Sequence, residues 1–137
     1  RDAETMDAAV QASISGHRVT TTIHAGDVPL TMQRIASLCP EGARANLVVA
    51  IAQSLRLVVN QRLVPSTDGR RIALREFLPF DADLRRALLR AAPEDWPEIT
   101  RRATDERGQS YARAIEAALA AGLVTEETAR FERSQVR

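Results

Sequence analysis

The apolar positions of the chain follow first a helical rhythm, then an alternating one, then a helical one again. Met6, Ala9, Val10 and Ile14 recur at three- and four-residue spacing, on one face of a first helix that Asp2 can cap. Gly16 stands where a glycine commonly lies just past a helix end. Residues 18–24 are dominated by Val, Thr and Ile and lead into Gly26-Asp27, so they read as a strand. Asp27 and Pro29 open a second helix reaching Leu38, with Val28, Met32 and Ile35 inward and Pro40 as its stop. A third helix over residues 41–54 turns Leu47, Val48 and Ile51 inward, with Leu55 just beyond it.

Residues 55–64 and 71–80 alternate and flank the turn Pro65-Ser66-Thr67-Asp68-Gly69. The Asp-Gly pair there signals a hairpin, with a loop longer than the tightest type. Beyond Phe80 the helical spacing returns: Leu84 and Leu88, then Trp96, Ile99 and Ala103, then Ile115, Ala118 and Leu119. Gly108 and Gly122 punctuate this tail, and Thr125 opens a last short helix with Glu126 and Glu127 in its first turn. A strand set between helices predicts a layered α/β sheet, and the hairpin predicts an antiparallel edge on it.

The length of 137 residues fits one domain or a large part of one, and the apolar content of 45% suffices for a core. Nineteen basic residues against eighteen acidic ones give no excess to hold nucleic acid. No apolar run reaches membrane length. The lone Cys39 excludes an internal disulfide and suits a reducing compartment. Every basic residue is arginine, so a phosphate-binding loop of the G-x-x-x-x-G-K-[ST] type is not within these residues. The opening on Arg1-Asp2, without a Met, suggests a fragment whose first half lies elsewhere.

Both histidines lie in the stretch GHRVTTTIHAGD, residues 16–27. As a strand, seven steps would separate His17 and His24 by roughly 23 Å, too far to share a metal ion. The plain alternative is one histidine at a helix end and one buried in the core. Against it, His24 ends its expected strand at the edge where open α/β sheets bind ligands. There it can donate a hydrogen bond to a phosphate, with Arg34 adding a second contact.

Elsewhere the expectations are plainer. Arg85-Arg86 and Arg101-Arg102 read as solvated helix faces, Trp96 as a packing anchor and Cys39 as a small apolar filler. Glu76, between Arg75 and Phe77, is expected to pair with an arginine on a solvated or interface face.

RDAET at residues 1–5 resembles the second half of the acidic box of secretion ATPases of the PilT/GspE-like superfamily. SGHRVTTTIHAGD at residues 15–27 resembles their histidine box. TMQRI at residues 31–35 resembles the helix that follows it, with Gln33 in place of an aspartate. QSLRLVVNQRLVP at residues 53–65 resembles their next strand, and GQSYARAIEAALAAGLVTEETA at residues 108–129 their C-terminal helices. DADLRRALLR at residues 81–90 matches the pilus-retraction signature only loosely. The hairpin, with the Trp-containing insert after it, looks more like the DotB/TraJ branch of type IVB secretion and conjugation.

The resemblance implies a RecA-like P-loop ATPase, with residues 1–80 as the C-terminal part of its core and residues 81–137 as a helical C-terminal subdomain. It implies a homo-hexamer, cytoplasmic and peripheral to the inner membrane, working with inner-membrane components of a secretion system and not itself inserted. It implies ATP and Mg2+ held mainly by residues outside this chain. On the same resemblance His24 senses the terminal phosphate and Arg34 supports it. His17 is the more structural histidine, and Arg1, Asp2 and Glu4 belong to the acidic box. The segment alone is then expected to be inactive. The alternative is a non-enzymatic helical interaction or scaffold module derived from that fold. A small nucleotide-binding regulator is a weaker third, because no glycine-rich phosphate cradle is present.

Overall fold

The computed structural model describes residues 3–39 and 44–136. Helix α1 spans Ala3–Ile14, α2 Val28–Ser37 and α3 Arg44–Ser54. Strands β1 (Leu57–Pro65) and β2 (Arg71–Pro79) follow, then α4 (Ala82–Arg90) and a single 3-10 turn at Pro93–Asp95. Helices α5 (Trp96–Arg107), α6 (Tyr111–Ala120) and α7 (Glu126–Gln135) complete the described chain. Asp2, expected to cap α1, and Pro40, expected to stop α2, lie outside the described residues.

Local chemistry sets most of these boundaries. The Asp27 side chain accepts the Leu30 amide at 2.7 Å, and Asp81 accepts that of Leu84 at 2.8 Å, so each satisfies a donor that its helix start leaves orphaned. Gly16 ends α1 at φ +93°, a conformation that favours glycine. The hairpin pairs antiparallel from Leu57 opposite Pro79 to Pro65 opposite Arg71.

The segment over residues 18–24 corrects an expectation. Its backbone joins no ladder among the described residues. β-Branched residues favour extended geometry, but a strand also needs a neighbour to fill its row of N–H and C=O groups. Among the described residues the sheet is the two-stranded hairpin alone, and His24 therefore does not end a strand.

The inward face of the hairpin divides the core. Val58 and Leu78 join a cluster with Val28, Met32, Ile35, Leu84, Leu88 and Trp96; Val64 and Leu74 join a second with Tyr111, Ile115, Val124 and Ala129. Trp96 is fully buried and donates its indole N–H to the Leu88 carbonyl at 3.1 Å, which pins α4 onto α5. The outward face of β1 carries Leu57, Val59 and Leu63, all more than half exposed, and its free edge has no strand partner among the described residues. The expected arginine faces are solvated in part. Arg86 pairs with Asp83 and Arg102 with Glu106, whereas Arg85 donates to the Leu55 carbonyl at 3.3 Å.

Gly108 lets α5 turn into α6 close beside β2. Gln109 and Phe77 exchange two backbone hydrogen bonds, at 2.9 and 3.0 Å, and a Cβ on Gly108 would collide with the Phe77 carbonyl. Backbone cannot yield as a flexible side chain does, so Gly108→Ala is expected to lower stability by about 2 kcal/mol. Urea unfolding monitored by Trp96 fluorescence checks this: an unchanged midpoint would show that the approach relaxes freely.

Candidate functional site

The alternation that turns Val58, Val64, Leu74 and Leu78 inward also turns Asn60 and Glu76 inward, directly opposite each other on the two strands. Both are buried, Glu76 with 6% of its surface exposed. They form a polar seam between the two apolar clusters. Asn60 donates its side-chain amide to the Ala25 carbonyl at 3.1 Å and shares a hydrogen bond with the Thr31 hydroxyl. Glu76 accepts the Val28 N–H at 2.6 Å on Oε1 and the Tyr111 N–H at 3.2 Å on Oε2.

Val28 and Tyr111 are the first residues of α2 and α6. One carboxylate thus meets the positive ends of two helices, satisfying an orphan donor on each. At α6 the cap residue Ser110 makes no side-chain capping bond, so Glu76 takes that role from a distant strand. This corrects the expectation for Glu76. It is neither solvated nor bonded to an arginine, because its place in the strand alternation faces inward and two helix starts supply its partners.

Burial pushes the Glu76 carboxyl above its ordinary value; the two backbone donors pull it back only in part, and the nearby Asp27 charge pushes it up again. Beside the carboxylate lies a cavity of about 260 Å³ lined by Asp27, Arg62, Glu76, Thr104, Ser110 and Tyr111. The Arg62 guanidinium sits 4.5 Å above the Tyr111 ring and 3.8 Å from the Glu132 carboxylate. Burial drives the Tyr111 phenol up to about 12, and its hydroxyl meets the geometry of no hydrogen bond among the described residues. The signal for this site is legible in principle: a polar residue in phase with buried neighbours, on each of two facing strands.

The residues singled out from the sequence lie apart from the seam. Glu4 is exposed on α1. His17 is exposed, its Nδ1 3.0 Å from the Ser15 hydroxyl just past that helix. His24 is exposed on the extended segment, and Arg34 is exposed on α2 while Thr31, Met32 and Ile35 of the same helix are buried. No hydrogen bond or ion pair among the described residues joins these four to one another. Arg1 and Asp2 fall outside the described residues. The seam reaches the histidine segment all the same, since Asn60 holds Ala25, next to His24, and Glu76 holds Val28.

The family model described as type II/IV secretion system protein matches residues 1–70. The chain is 30% identical over 133 residues to the type IV pilus ATPase PilU of Pseudomonas aeruginosa, covering 94% of this chain and 34% of that protein. The ATPase DotB of Legionella pneumophila superposes with a TM-score of 0.95 at 34% identity, over 99% of this chain and 37% of that one. The pilus retraction motor PilT, solved with bound ADP, shares the fold with a TM-score of 0.79 at 24% identity, over 94% of this chain and 36% of that one. The chain therefore spans about a third of the length of these relatives.

The Glu76 environment fixes a pH dependence. A carboxyl whose folded value is raised binds its proton more tightly in the native state, so its contribution to stability falls as pH rises from its ordinary 4.5 towards the raised folded value. Glu76→Gln removes that titration. Unfolding free energies measured across this window are expected to show the wild type losing ground to the Gln variant as pH rises; a constant difference would contradict the buried charge.

Proposed function

The chain belongs to the type II/IV secretion system protein family, and from that premise we propose that it works as part of a hexameric motor ATPase driving protein secretion or conjugative transfer. Residues 1–80 contribute to the RecA-like core, and residues 81–137 form a helical subdomain. The observation that carries this reading is the placement of His24. Its imidazole is exposed and engaged by no hydrogen bond with any described residue, on the segment that runs straight into the Asp27-capped start of α2. A core histidine would be enclosed; an open one, held by its backbone neighbours, is available to a ligand.

His24 and Arg34 suit the rim of a phosphate site, since each offers donors free of a paired carboxylate. They do not suit a complete site. Among the described residues no group of three or more His, Cys, Asp or Glu side chains could hold a metal ion, and the chain has no lysine for a phosphate loop. In this reading the phosphate cradle and the ligands of Mg2+ come from other parts of the motor. Bound there, ATP supplies the scissile phosphoanhydride, while His24 holds a proton donor towards the terminal phosphate and Arg34 supplies positive charge. In the same reading Glu4 belongs to the acidic box and His17 has the more structural role. No helix among the described residues is long and apolar enough to cross a membrane.

His24→Ala in the complete protein is expected to lower ATP turnover by roughly 100-fold with a smaller change in nucleotide affinity. Steady-state hydrolysis and equilibrium nucleotide binding, measured separately, test this, and full turnover would return His24 to a structural role. The 137-residue chain by itself is expected to give no turnover in the same assay; hydrolysis by the purified segment would refute the reading that its phosphate cradle lies elsewhere.

A further inference from the structure

We propose that Glu76 is a positioning residue that couples the nucleotide-facing helix α2 to the C-terminal helix α6. The inference rests on the nucleotide-site reading above. Its geometric basis is that a single carboxylate accepts the first N–H of both helices, Val28 at 2.6 Å and Tyr111 at 3.2 Å, across sequence separations of 48 and 35 residues. The two helices belong otherwise to different apolar clusters: Val28, Met32 and Ile35 to one, Tyr111, Ala114 and Ile115 to the other. Apolar contacts within a cluster carry little direction, whereas a bridging carboxylate has fixed reach. A shift of α2 either carries α6 with it or breaks one of the two bonds.

Two further observations favour a role in coupling over one in stability. The bridge lies beside the cavity rather than inside either apolar cluster, so room exists for the seam to move. Burial also holds the Glu76 carboxyl above its ordinary value, so the charge is kept at a net cost to the fold. α2 carries Arg34, and its cap Asp27 follows His24 by three residues. A change in phosphate occupancy at that rim therefore reaches Val28, four residues beyond His24, and passes through Glu76 to Tyr111 at the start of α6.

Glu76→Gln separates the two bonds. Its amide oxygen can keep the tighter Val28 donor, but its NH2 then faces the Tyr111 N–H and cannot accept it. In the complete protein, amide exchange at Val28 and Tyr111 is followed with and without ATP, alongside steady-state hydrolysis. ATP is expected to slow exchange at both amides in the wild type; in the Gln variant the response at Val28 persists and that at Tyr111 disappears. Turnover falls roughly 10- to 100-fold with KM for ATP unchanged, as for a displaced rather than a missing contact. Glu76→Asp, which keeps the charge and shortens the reach, loses the Tyr111 response as well and carries the test if the Gln variant does not fold.

A wild type in which ATP leaves Val28 unaffected removes the nucleotide-site reading and this inference with it. A wild type in which Val28 responds and Tyr111 does not, or variants in which both still respond, overturns the coupling alone.

Discussion

A carboxylate that two helix starts share is the constraint on which the remainder of this fold turns. Glu76 stands opposite Asn60 in the middle of a hairpin face that is apolar apart from this pair and the neighbouring Arg62. On one side of that pair the side chains of α2, α4 and α5 close over Val58 and Leu78; on the other, those of α6 and α7 close over Val64 and Leu74. Apolar packing alone would let these halves settle at many relative positions, because dispersion and burial carry little direction. Hydrogen bonds to fixed backbone groups carry direction, and the seam supplies several: the Val28 and Tyr111 amides donate to Glu76, and the Ala25 carbonyl accepts from Asn60.

That arrangement places the segment holding the two histidines on a defined mount. Residues 18–24 have no strand neighbour among the described residues, yet the segment's end is tied down by Asn60 at Ala25 and by the long contact of Arg62 with the Gly26 carbonyl at 3.5 Å. His24 thus has an anchored backbone and an open side chain.

Much of the architecture was legible because its signals are local. Asp27 caps α2 through its own side chain, Asp68-Gly69 turns the hairpin, and Trp96 fills the core in phase with Ile99 and Ala103. The seam was not read, because its partners are distant along the chain. Nothing near Arg75-Glu76-Phe77 announces that the amides of Val28 and Tyr111 converge there; only the two-residue spacing from Leu74 and Leu78 hints that a charge is turned inward. Residues 18–24 fail in the opposite direction. Their composition is that of a strand, but strand pairing belongs to two segments and cannot be read from one.

The outward side of β1 carries a different implication. Leu57, Val59 and Leu63 lie in a row beside a strand edge that has no partner among the described residues. Outside its normal surroundings such a ribbon is adhesive, and two copies meeting edge to edge would zip into a longer sheet. Preparing this segment in isolation is therefore a matter of colloidal chemistry as much as of folding, and dilution or a charged replacement on that row would govern whether it stays dispersed.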